Sequence, residues 1–331
     1  MKKLRWGLIG AGGIARKFAG GLADSKTGEL VALASRSKAS AERFAAEFPA
    51  RCHGSCEALL ADPAVDAVYI STPHPFHAEW AIKAAEAGKH ILCEKPLAMN
   101  HAEALAILEA AQRNDVFLME AFMFRCQPQT ARIVELVRER AIGEVKFVRA
   151  TFSFAAAFNA ENRLFNRALG GGGILDVGGY CTSMARLIAG AVSGAGFEDP
   201  SEVRGVGQVG AESQVDEFAI ASLKFPNGML AEVAAGVRVS LENTVTIVGT
   251  AGDIVVPSPW TANGLQAGAS KIIVSKGGLR EEILIESDRG IYAVEADHVA
   301  EHLAARQSPM ISWADTLGNM RTLDAWRAAL S

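Results

Sequence analysis

The feature that most constrains the fold is a regular alternation of short apolar runs with helical patterns over residues 4 to 121. The apolar runs are candidate strands, and they cover Leu4 to Ile9, Leu30 to Ser35, Ala67 to Ser71, His90 to Glu94 and Val116 to Ala121. The helical patterns lie between them, around Ile14 to Ala23, Lys38 to Glu47, Phe76 to Ala87 and His101 to Arg113. Strands that alternate with helices in this way favour an α/β fold with a parallel, doubly wound sheet.

The pattern changes after about residue 122. An amphipathic helix is predicted over about Pro128 to Arg140, and longer strand-like runs follow it, with hairpin signals at "FPNGML" and "VGTAGDIVV". Asn-Gly between apolar runs is a strong hairpin signal, so we expect an α+β half with an open, mainly antiparallel sheet. The tail, about 313–330, is again helical and is a candidate to pack back on the first domain. We therefore predict two domains, 1–122 and 123–331, which suits a chain of 331 residues.

Composition argues against several classes of function. The net charge of -4 leaves no basic surplus for binding nucleic acid or an anionic membrane. No apolar run approaches the ~20 residues that span a bilayer, and the first residues enter a strand pattern without a signal peptide, so we expect a cytoplasmic protein. The five cysteines do not suggest a disulfide framework. Cys52, His53 and Cys56 lack a second ligand pair, so we predict no metal site.

A glycine-rich loop follows the first predicted strand. The stretch "WGLIGAGGIARKF" places Gly10, Gly12 and Ala15 between that strand and the first helix, as G-x-G-x-x-A. Gly10 permits a tight turn, Gly12 lets a pyrophosphate approach the backbone, and the helix N-terminus offers free N–H groups. The motif alone is weak, but in this context dinucleotide binding is the better interpretation. The first domain is therefore a predicted Rossmann domain, with Gly13 and Ile14 also in the binding loop.

The second predicted strand indicates which dinucleotide binds. An NAD site usually has an acidic residue roughly 20 positions after the glycines, to bond the ribose hydroxyls. Here the strand ends "VALASRSK", with no acid in reach. Ser35 offers a hydroxyl, and Arg36 offers a guanidinium to a 2′-phosphate. The alternative is that Arg36 is a solvated surface residue; we predict NADP in preference to NAD.

Two later strands end in polar residues. Ligands of open α/β sheets bind beyond the carboxyl ends of the strands, where "YISTPHPFHAEW" and "HILCEKP" both emerge. The candidates at this edge are Ser71, Thr72, Pro73, His77, Glu94 and Lys95. Glu94 and Lys95 should point to opposite faces, and Pro96 favours an extended backbone at Lys95. Charged residues also simply mark where a buried strand leaves the core, so this motif by itself leaves both interpretations open.

A second glycine-rich stretch, "RALGGGGILDVGGYC", spans residues 167 to 181. Gly178 and Gly179 lie in what reads as the start of a helix, where each costs roughly 1 kcal/mol relative to Ala. Such a cost indicates that something approaches the backbone closely. Asp176 and Tyr180 are four residues apart and would share a helix face. The alternative, in which Tyr180 packs and Asp176 caps the helix, stays open on these residues alone.

Three motifs in order, "GLIGAGGIA", "STPHPFHAEWAIKAAEAGKHILCEKPLAMN" and "GGGGILDVGGY", resemble the glucose-fructose oxidoreductase family, also called Gfo/Idh/MocA. The stretches "MEAFMFR", "ENRLF" and "GGGGILDVGGYC" look most like its dihydrodiol dehydrogenase and NADP-dependent D-xylose dehydrogenase branch. The resemblance implies that Lys95 and Tyr180 are the catalytic pair, with Asp176 close by, and that His77 lies near the nicotinamide. His77 as a packed residue is the alternative. Arg125 and Arg163 would contact substrate or cofactor in that branch, although isolated arginines are more often surface residues.

The implied chemistry suits these residue types. Removing hydride from a secondary alcohol requires a base for the hydroxyl proton, and a Lys ammonium beside a Tyr stabilises the phenolate. We therefore expect Tyr180 as acid/base, Lys95 as its activator, and a secondary or hemiacetal hydroxyl of a sugar or cyclic trans-diol as the substrate group. The alternatives are an NADPH-dependent reductase of dicarbonyl sugars and a non-catalytic NADP-binding regulator. The resemblance also implies a homodimer or dimer of dimers through the C-terminal sheet.

Overall fold

The computed structural model describes residues 3–330, which form two compact units. The first unit contains the described residues up to Cys126, together with Asn263–Gly268 and Asp288–Thr316. The second contains Gln127–Ala262, Ala269–Ser287 and the described residues from Leu317 onward. Residues 263–268 and 288–316 thus belong to the first unit, whereas the sequence analysis assigned residues 123–331 to the second domain and named only the tail, about 313–330, as a candidate to pack on the first; most of that tail, from Leu317, belongs to the second unit.

Strands and helices follow one another along the whole of the described chain. The strands are β1 Leu4–Ile9, β2 Gly28–Ala34, β3 Arg51–Cys52, β4 Ala67–Ile70, β5 His90–Glu94, β6 Leu118–Ala121, β7 Val145–Ser153, β8 Glu202–Val209, β9 Asp216–Lys224, β10 Leu230–Gly236, β11 Val245–Gly249, β12 Gly252–Val256, β13 Gly268–Lys276 and β14 Leu279–Ser287. The helices are α1 Gly13–Asp24, α2 Lys38–Glu47, α3 Cys56–Leu60, α4 His77–Glu86, α5 His101–Arg113, α6 Pro128–Arg138, α7 Gly179–Ser193, α8 Ile291–His302 and α9 Trp313–Ala328.

The first unit is built on a parallel sheet of six strands. Their order is β3-β2-β1-β4-β5-β6, which is the strand order of Rossmann dinucleotide-binding domains, with a crossover after β3. Every residue of β4 and β6 is buried, as expected for parallel strands that are covered on both faces. The carboxyl ends of β1, β4 and β5 therefore lie side by side at one edge of the sheet.

Helix α8 explains why a late part of the chain belongs to the first unit. It packs so closely on α1 that a Cβ added to Gly21 would lie 2.6 Å from the Cβ of Tyr292. At the end of α1, the hydroxyl groups of Ser25 and Thr27 each donate to Oδ1 of Asp297 at 2.6 Å. These contacts attach α8 to a segment more than 250 residues away in sequence, which no local pattern reveals.

The second unit is built on a mixed sheet of eight strands. Their order is β14-β13-β12-β11-β7-β10-β9-β8, with β7 and β10 parallel and the neighbouring registers antiparallel. Both predicted hairpins are present: β9 and β10 are joined through Gly228 at φ +85°, and Gly249 pairs with Gly252 at the end of β11 and β12. Helix α7 packs against β7 and β10. The predicted fold class is confirmed in both halves.

Candidate active site

The glycine loop between β1 and α1 has the geometry of a dinucleotide cradle. Gly10 has φ +112°, which only glycine adopts easily, and a Cβ there would lie 2.7 Å from Oγ of Ser71. Gly12 is the N-cap of α1, and a Cβ on Gly12 or Gly13 would meet no described atom within 4 Å. The exposed backbone N–H groups of this first turn therefore have room for a phosphate.

Thr72 offers a second observation that fits a bound dinucleotide. Its Oγ1 is buried and has no hydrogen-bond partner among residues 3–330. A buried hydroxyl without a partner is unfavourable, so it marks a place where a ligand or water supplies the missing bond. Thr72 follows Ser71 directly at the end of β4, and Gly10 touches Ser71. The loop and the β4 exit thus fit one extended ligand.

The segment after β2 has no acidic side chain. Ser35 follows this strand and is half-buried, while Arg36 is exposed. Residues 35–40 read Ser-Arg-Ser-Lys-Ala-Ser, without a carboxylate to repel a phosphate. Ser37 caps α2, because its hydroxyl accepts the N–H of Ser40 at 3.3 Å. Ser35 and Arg36 are therefore the residues at this position that suit an anionic ligand.

The two charges at the end of β5 have different environments. Glu94 is only 8% exposed, and its carboxylate accepts the hydroxyl of Tyr69 and the backbone N–H of Lys95, the latter at 3.2 Å. Lys95 is half-buried and is joined to Pro96 by a cis peptide bond. Glu94 thus turns into the interior of the unit, and the strand does not end in two solvated charges.

His77 connects the two strand exits of the first unit. The side chain is fully buried, with Nδ1 at 2.9 Å from the carbonyl oxygen of Pro96 and Nε2 at 2.8 Å from that of Thr72. Both ring nitrogens contact backbone carbonyl oxygens, so the ring holds the β4 and β5 exits at a fixed separation. Its predicted place near the nicotinamide stays a prediction.

Sequence analysis missed a buried carboxyl group beside Glu94. Glu295 of α8 is fully buried, and neither of its side-chain oxygens has a hydrogen-bond partner among the described residues. Burial, together with the neighbouring Glu94 carboxylate, raises the pKa of Glu295 well above its ordinary value. Only the position of α8 in the first unit brings these two residues together, so no sequence signal could have identified the pair.

In the second unit, the glycines of residues 170–179 pack against protein. A Cβ on Gly171 would lie 2.6 Å from the carbonyl oxygen of Arg163, and one on Gly173 would lie 2.9 Å from the backbone of Gly236. A Cβ on Gly178 would lie 2.9 Å from the ring of Trp326. At these three positions, the groups that closely approach the glycine backbone therefore belong to the protein itself.

Asp176 and Tyr180 lie on consecutive parts of one helical segment. Asp176 is in a π-helical turn, Ile174–Gly178, and Tyr180 is in the first turn of α7. Oδ1 of the buried Asp176 accepts from Nη2 of Arg163 at 2.8 Å. Arg163 is 41% exposed in its side chain, and its Nη1 is buried without a partner within residues 3–330.

An aromatic cluster surrounds Tyr180. The ring of Phe152 lies 5.1 Å away edge-on, and the ring of Trp260 lies 5.8 Å away, also edge-on. Trp260 donates its indole N–H to the carbonyl oxygen of Thr151 at 2.9 Å, which fixes the ring. Sequence analysis did not identify Trp260, since a single Trp in an irregular segment carries no periodic signal.

Arg125 is buried and forms an ion pair. It is 4% exposed, its Nη2 lies 2.9 Å from Oδ2 of Asp315, and the same nitrogen donates to the carbonyl oxygen of Met310 at 2.5 Å. This is a buried ion pair within the first unit. The role of Arg125 as a contact with substrate or cofactor stays a prediction.

None of the helices in residues 3–330 combines the length and the apolar character that a membrane crossing requires.

Comparisons with known proteins agree with both halves of the fold. Residues 4–122 match the model of an oxidoreductase family with an NAD-binding Rossmann fold, and residues 130–255 match the GFO/IDH/MocA C-terminal domain. The chain is 39% identical over 258 residues to the trans-1,2-dihydrobenzene-1,2-diol dehydrogenase of Danio rerio, covering 77% of this chain and 75% of that protein. It is 31% identical to D-xylose 1-dehydrogenase (NADP(+)) 2 of Haloferax volcanii, covering 97% and 96% of the two chains.

Among solved structures, KijD10, a 3-ketoreductase from Actinomadura kijaniata crystallised with NADP and TDP-benzene, superimposes with a TM-score of 0.90. The two proteins are 27% identical, and the match covers 99% of this chain and 98% of KijD10. Similarity of this extent, across both sheets and in the expected order of motifs, shows that the chain is an oxidoreductase that belongs to the Gfo/Idh/MocA family.

Proposed function

We propose that this protein is an NADP-dependent oxidoreductase that transfers hydride between the nicotinamide and a secondary or hemiacetal hydroxyl of a sugar or cyclic trans-diol. The observation that carries the proposal is the similarity to proteins named for a cyclic trans-diol and for D-xylose. Both named substrates have a hydroxyl-bearing carbon next to another oxygenated carbon. We infer that the substrate of this chain shares that feature.

Binding of a dinucleotide is supported by Gly12 and Gly13, which leave room for the pyrophosphate, and by Oγ1 of Thr72, which has no partner among residues 3–330. The preference for NADP is supported by Arg36, which follows β2 where an acidic residue would favour NAD. When bound, the nicotinamide accepts or supplies the hydride. KijD10 and the xylose dehydrogenase are also named with NADP, which agrees with this proposal.

Proton transfer is proposed to fall to Tyr180 and Lys95. As the alcohol is oxidised, the Tyr180 phenolate takes the hydroxyl proton, and the Lys95 ammonium stabilises that phenolate. Phe152 and Trp260 exclude water from one side of the Tyr180 ring, which strengthens such an electrostatic interaction. The buried Glu94 carboxylate accepts the N–H of Lys95 and so fixes the backbone that carries the ammonium group.

Asp176 and Arg163 are proposed to orient the substrate. Asp176 accepts from one guanidinium nitrogen of Arg163, while Nη1 of that guanidinium has no partner among the described residues. A sugar or diol hydroxyl is the kind of acceptor that Nη1 lacks. The ion pair would therefore present a donor and an acceptor to adjacent hydroxyl groups.

The reverse direction is the second candidate function. The similarity to a 3-ketoreductase favours an NADPH-dependent reductase of a keto or dicarbonyl sugar, in which Tyr180 donates its proton to the developing alkoxide. The same residues serve both directions, so only the ratio of kcat/KM values separates them.

We also propose that the protein forms a homodimer through one face of the eight-stranded sheet. Val206 of β8, Ile220 of β9 and Leu230 of β10 are 65%, 39% and 49% exposed and lie on the same face, where Val206 pairs with Ile220. Val248 of β11 adds a further exposed side chain. The exposed ion pair of Arg149 and Glu232 lies on the same face between these side chains, so the proposed symmetric contact with a second copy combines apolar and charged groups.

The proposal is tested by turnover of the purified protein on a panel of aldoses, inositols and cyclic trans-diols, with NADP and NAD. We expect NADPH formation with one substrate class, and a kcat/KM about tenfold or more higher with NADP than with NAD. The reductive direction is measured with NADPH and the matching ketones or dicarbonyl sugars. Absence of turnover in both directions, with NADPH still bound, would remove the proposed function, and an equal kcat/KM with NAD would remove the cofactor preference.

A further inference from the structure

Asp216, the first residue of β9, reaches into the second glycine-rich stretch. It is 9% exposed, and its Oδ2 accepts the backbone N–H of Ile174 at 2.6 Å. Gly172 has φ +109°, and a Cβ at this position would overlap the Asp216 carboxylate. Two features therefore require glycine at position 172: its backbone conformation, and the Asp216 carboxylate that occupies the space where a side chain would lie.

The carboxylate of Asp216 sits at the start of the segment that carries the proposed acid/base. Ile174 is the first residue of the π-helical turn that contains Asp176, and α7 with Tyr180 follows without a break. An acceptor at the beginning of a helix satisfies N–H groups that the helix itself leaves without partners, and a negative charge there is favourable. The contact comes from a strand more than 40 residues further along the chain, so it fixes the turn to the sheet.

The surroundings of the Asp216 carboxylate make its charged form energetically costly. Burial raises the pKa of Asp216 to about 6, and the N–H of Ile174, the N–H of Gly173 and the charge of Arg327 in α9 oppose that rise. The buried group is therefore retained at some energetic cost, as is typical of residues that hold a functional geometry.

We propose that Asp216 is a positioning residue, which fixes the π-helical turn to β9 and thereby holds Asp176 and Tyr180 in the orientation that the chemistry requires. This inference rests on the proposed function. It adds a residue that touches neither substrate nor cofactor and acts through the backbone of Ile174.

The test compares Asp216→Asn and Asp216→Ala with the unmodified enzyme, using kcat and KM, NADPH binding, and hydrogen exchange of the peptide that covers residues 171–180. We expect Asp216→Ala to lower kcat by roughly 100-fold, because a small misplacement of catalytic groups has effects of that size. NADPH binding should stay within about twofold, since the proposed cofactor residues all belong to the first unit. Exchange in 171–180 should rise.

Asp216→Asn is the conservative variant. It keeps a carbonyl oxygen that can accept the N–H of Ile174, so kcat should recover to within about tenfold of the unmodified enzyme. Asp199→Asn is the matched control, because Asp199 also binds charged groups of this unit, Arg186 and Arg321, at 2.5 and 2.7 Å. The control should lower thermal stability while kcat per folded molecule stays unchanged.

Three results would overturn the inference. Unchanged exchange in Asp216→Ala would mean that Asp216 does not hold the turn. Raised exchange with unchanged kcat would mean that the order of the turn does not matter for the chemistry. A fall in kcat for Asp199→Asn equal to that for Asp216→Ala would reduce the effect to general destabilisation. If the unmodified protein turns over no substrate, the proposed function fails first and this inference fails with it.

Discussion

Glu94 and Lys95 are neighbours in sequence, but their side chains have different environments in the structure. The Glu94 carboxylate lies in the interior, where it accepts the Tyr69 hydroxyl and the N–H of Lys95. Burial and the Glu94 carboxylate raise the pKa of the Tyr69 phenol well above its ordinary value, so this hydroxyl stays a donor. A neutral donor on a buried carboxylate is a stable arrangement, and it gives Glu94 a structural environment that differs from that of the half-buried Lys95.

Glu295 gives a prediction at the same scale. Burial and the neighbouring Glu94 raise the pKa of its carboxyl group in the folded protein, so the folded state keeps the proton to higher pH than the unfolded chain, which releases it at the ordinary glutamate pKa. The folded state therefore loses stability as pH rises above that ordinary value, by at most about 1.4 kcal/mol per pH unit. Glu295→Gln, which is neutral at every pH, should raise the melting temperature at pH 7 to 8 and flatten its dependence on pH.

The matched control is Glu301→Gln, which changes an exposed residue of the same helix and should leave the pH dependence as it is. Thermal unfolding of the three proteins across the range from about pH 5 to pH 8 is the measurement. Parallel curves for the unmodified protein and Glu295→Gln would show that Glu295 is ionised in the folded state and would contradict this account.

At the scale of elements, the sheet of the second unit carries a prediction about assembly. If the face with Val206 and Ile220 is the contact between two copies, a lysine at both positions places like charges in the interface and should yield a monomer. Leu265→Lys is the control, since Leu265 is 50% exposed and belongs to the first unit. Size-exclusion chromatography with light scattering measures the molar mass of the unmodified protein, the double variant and the control. A monomeric unmodified protein, or a double variant that is still dimeric, would remove the proposed interface.

Elements with strong local signals could be predicted from sequence, and contacts between distant segments could not. The bounds of β5 and α5 match the prediction, since a buried apolar run and a capping box define them; the Asn100 side chain accepts the N–H of Glu103 at 3.0 Å. The two-residue strand β3 and the five-residue helix α3 were missed, because segments this short show no periodicity. Asp216 was missed for another reason, which is that its partner Ile174 lies 42 residues away in sequence.

At the scale of the whole molecule, the chain distributes its proposed chemistry over both units. The cofactor residues and Lys95 belong to the first unit, and Asp176 and Tyr180 belong to the second. The sequence analysis did not predict part of this division, because residues 288–316, which include α8, return to the first unit. That return brings Glu295 within electrostatic range of Glu94, so the second half of the chain contributes to the surroundings of the Glu-Lys-Pro motif.

The central claim is that Tyr180 and Lys95 perform the proton chemistry of hydride transfer. The most direct measurement is kcat and the NADPH dissociation constant of Tyr180→Phe and Lys95→Ala, on the best substrate of the unmodified enzyme. The account predicts that kcat falls by about 100-fold or more in each variant, while NADPH binding changes by no more than about threefold. A kcat within about twofold of the unmodified value in either variant would contradict the assignment of that residue.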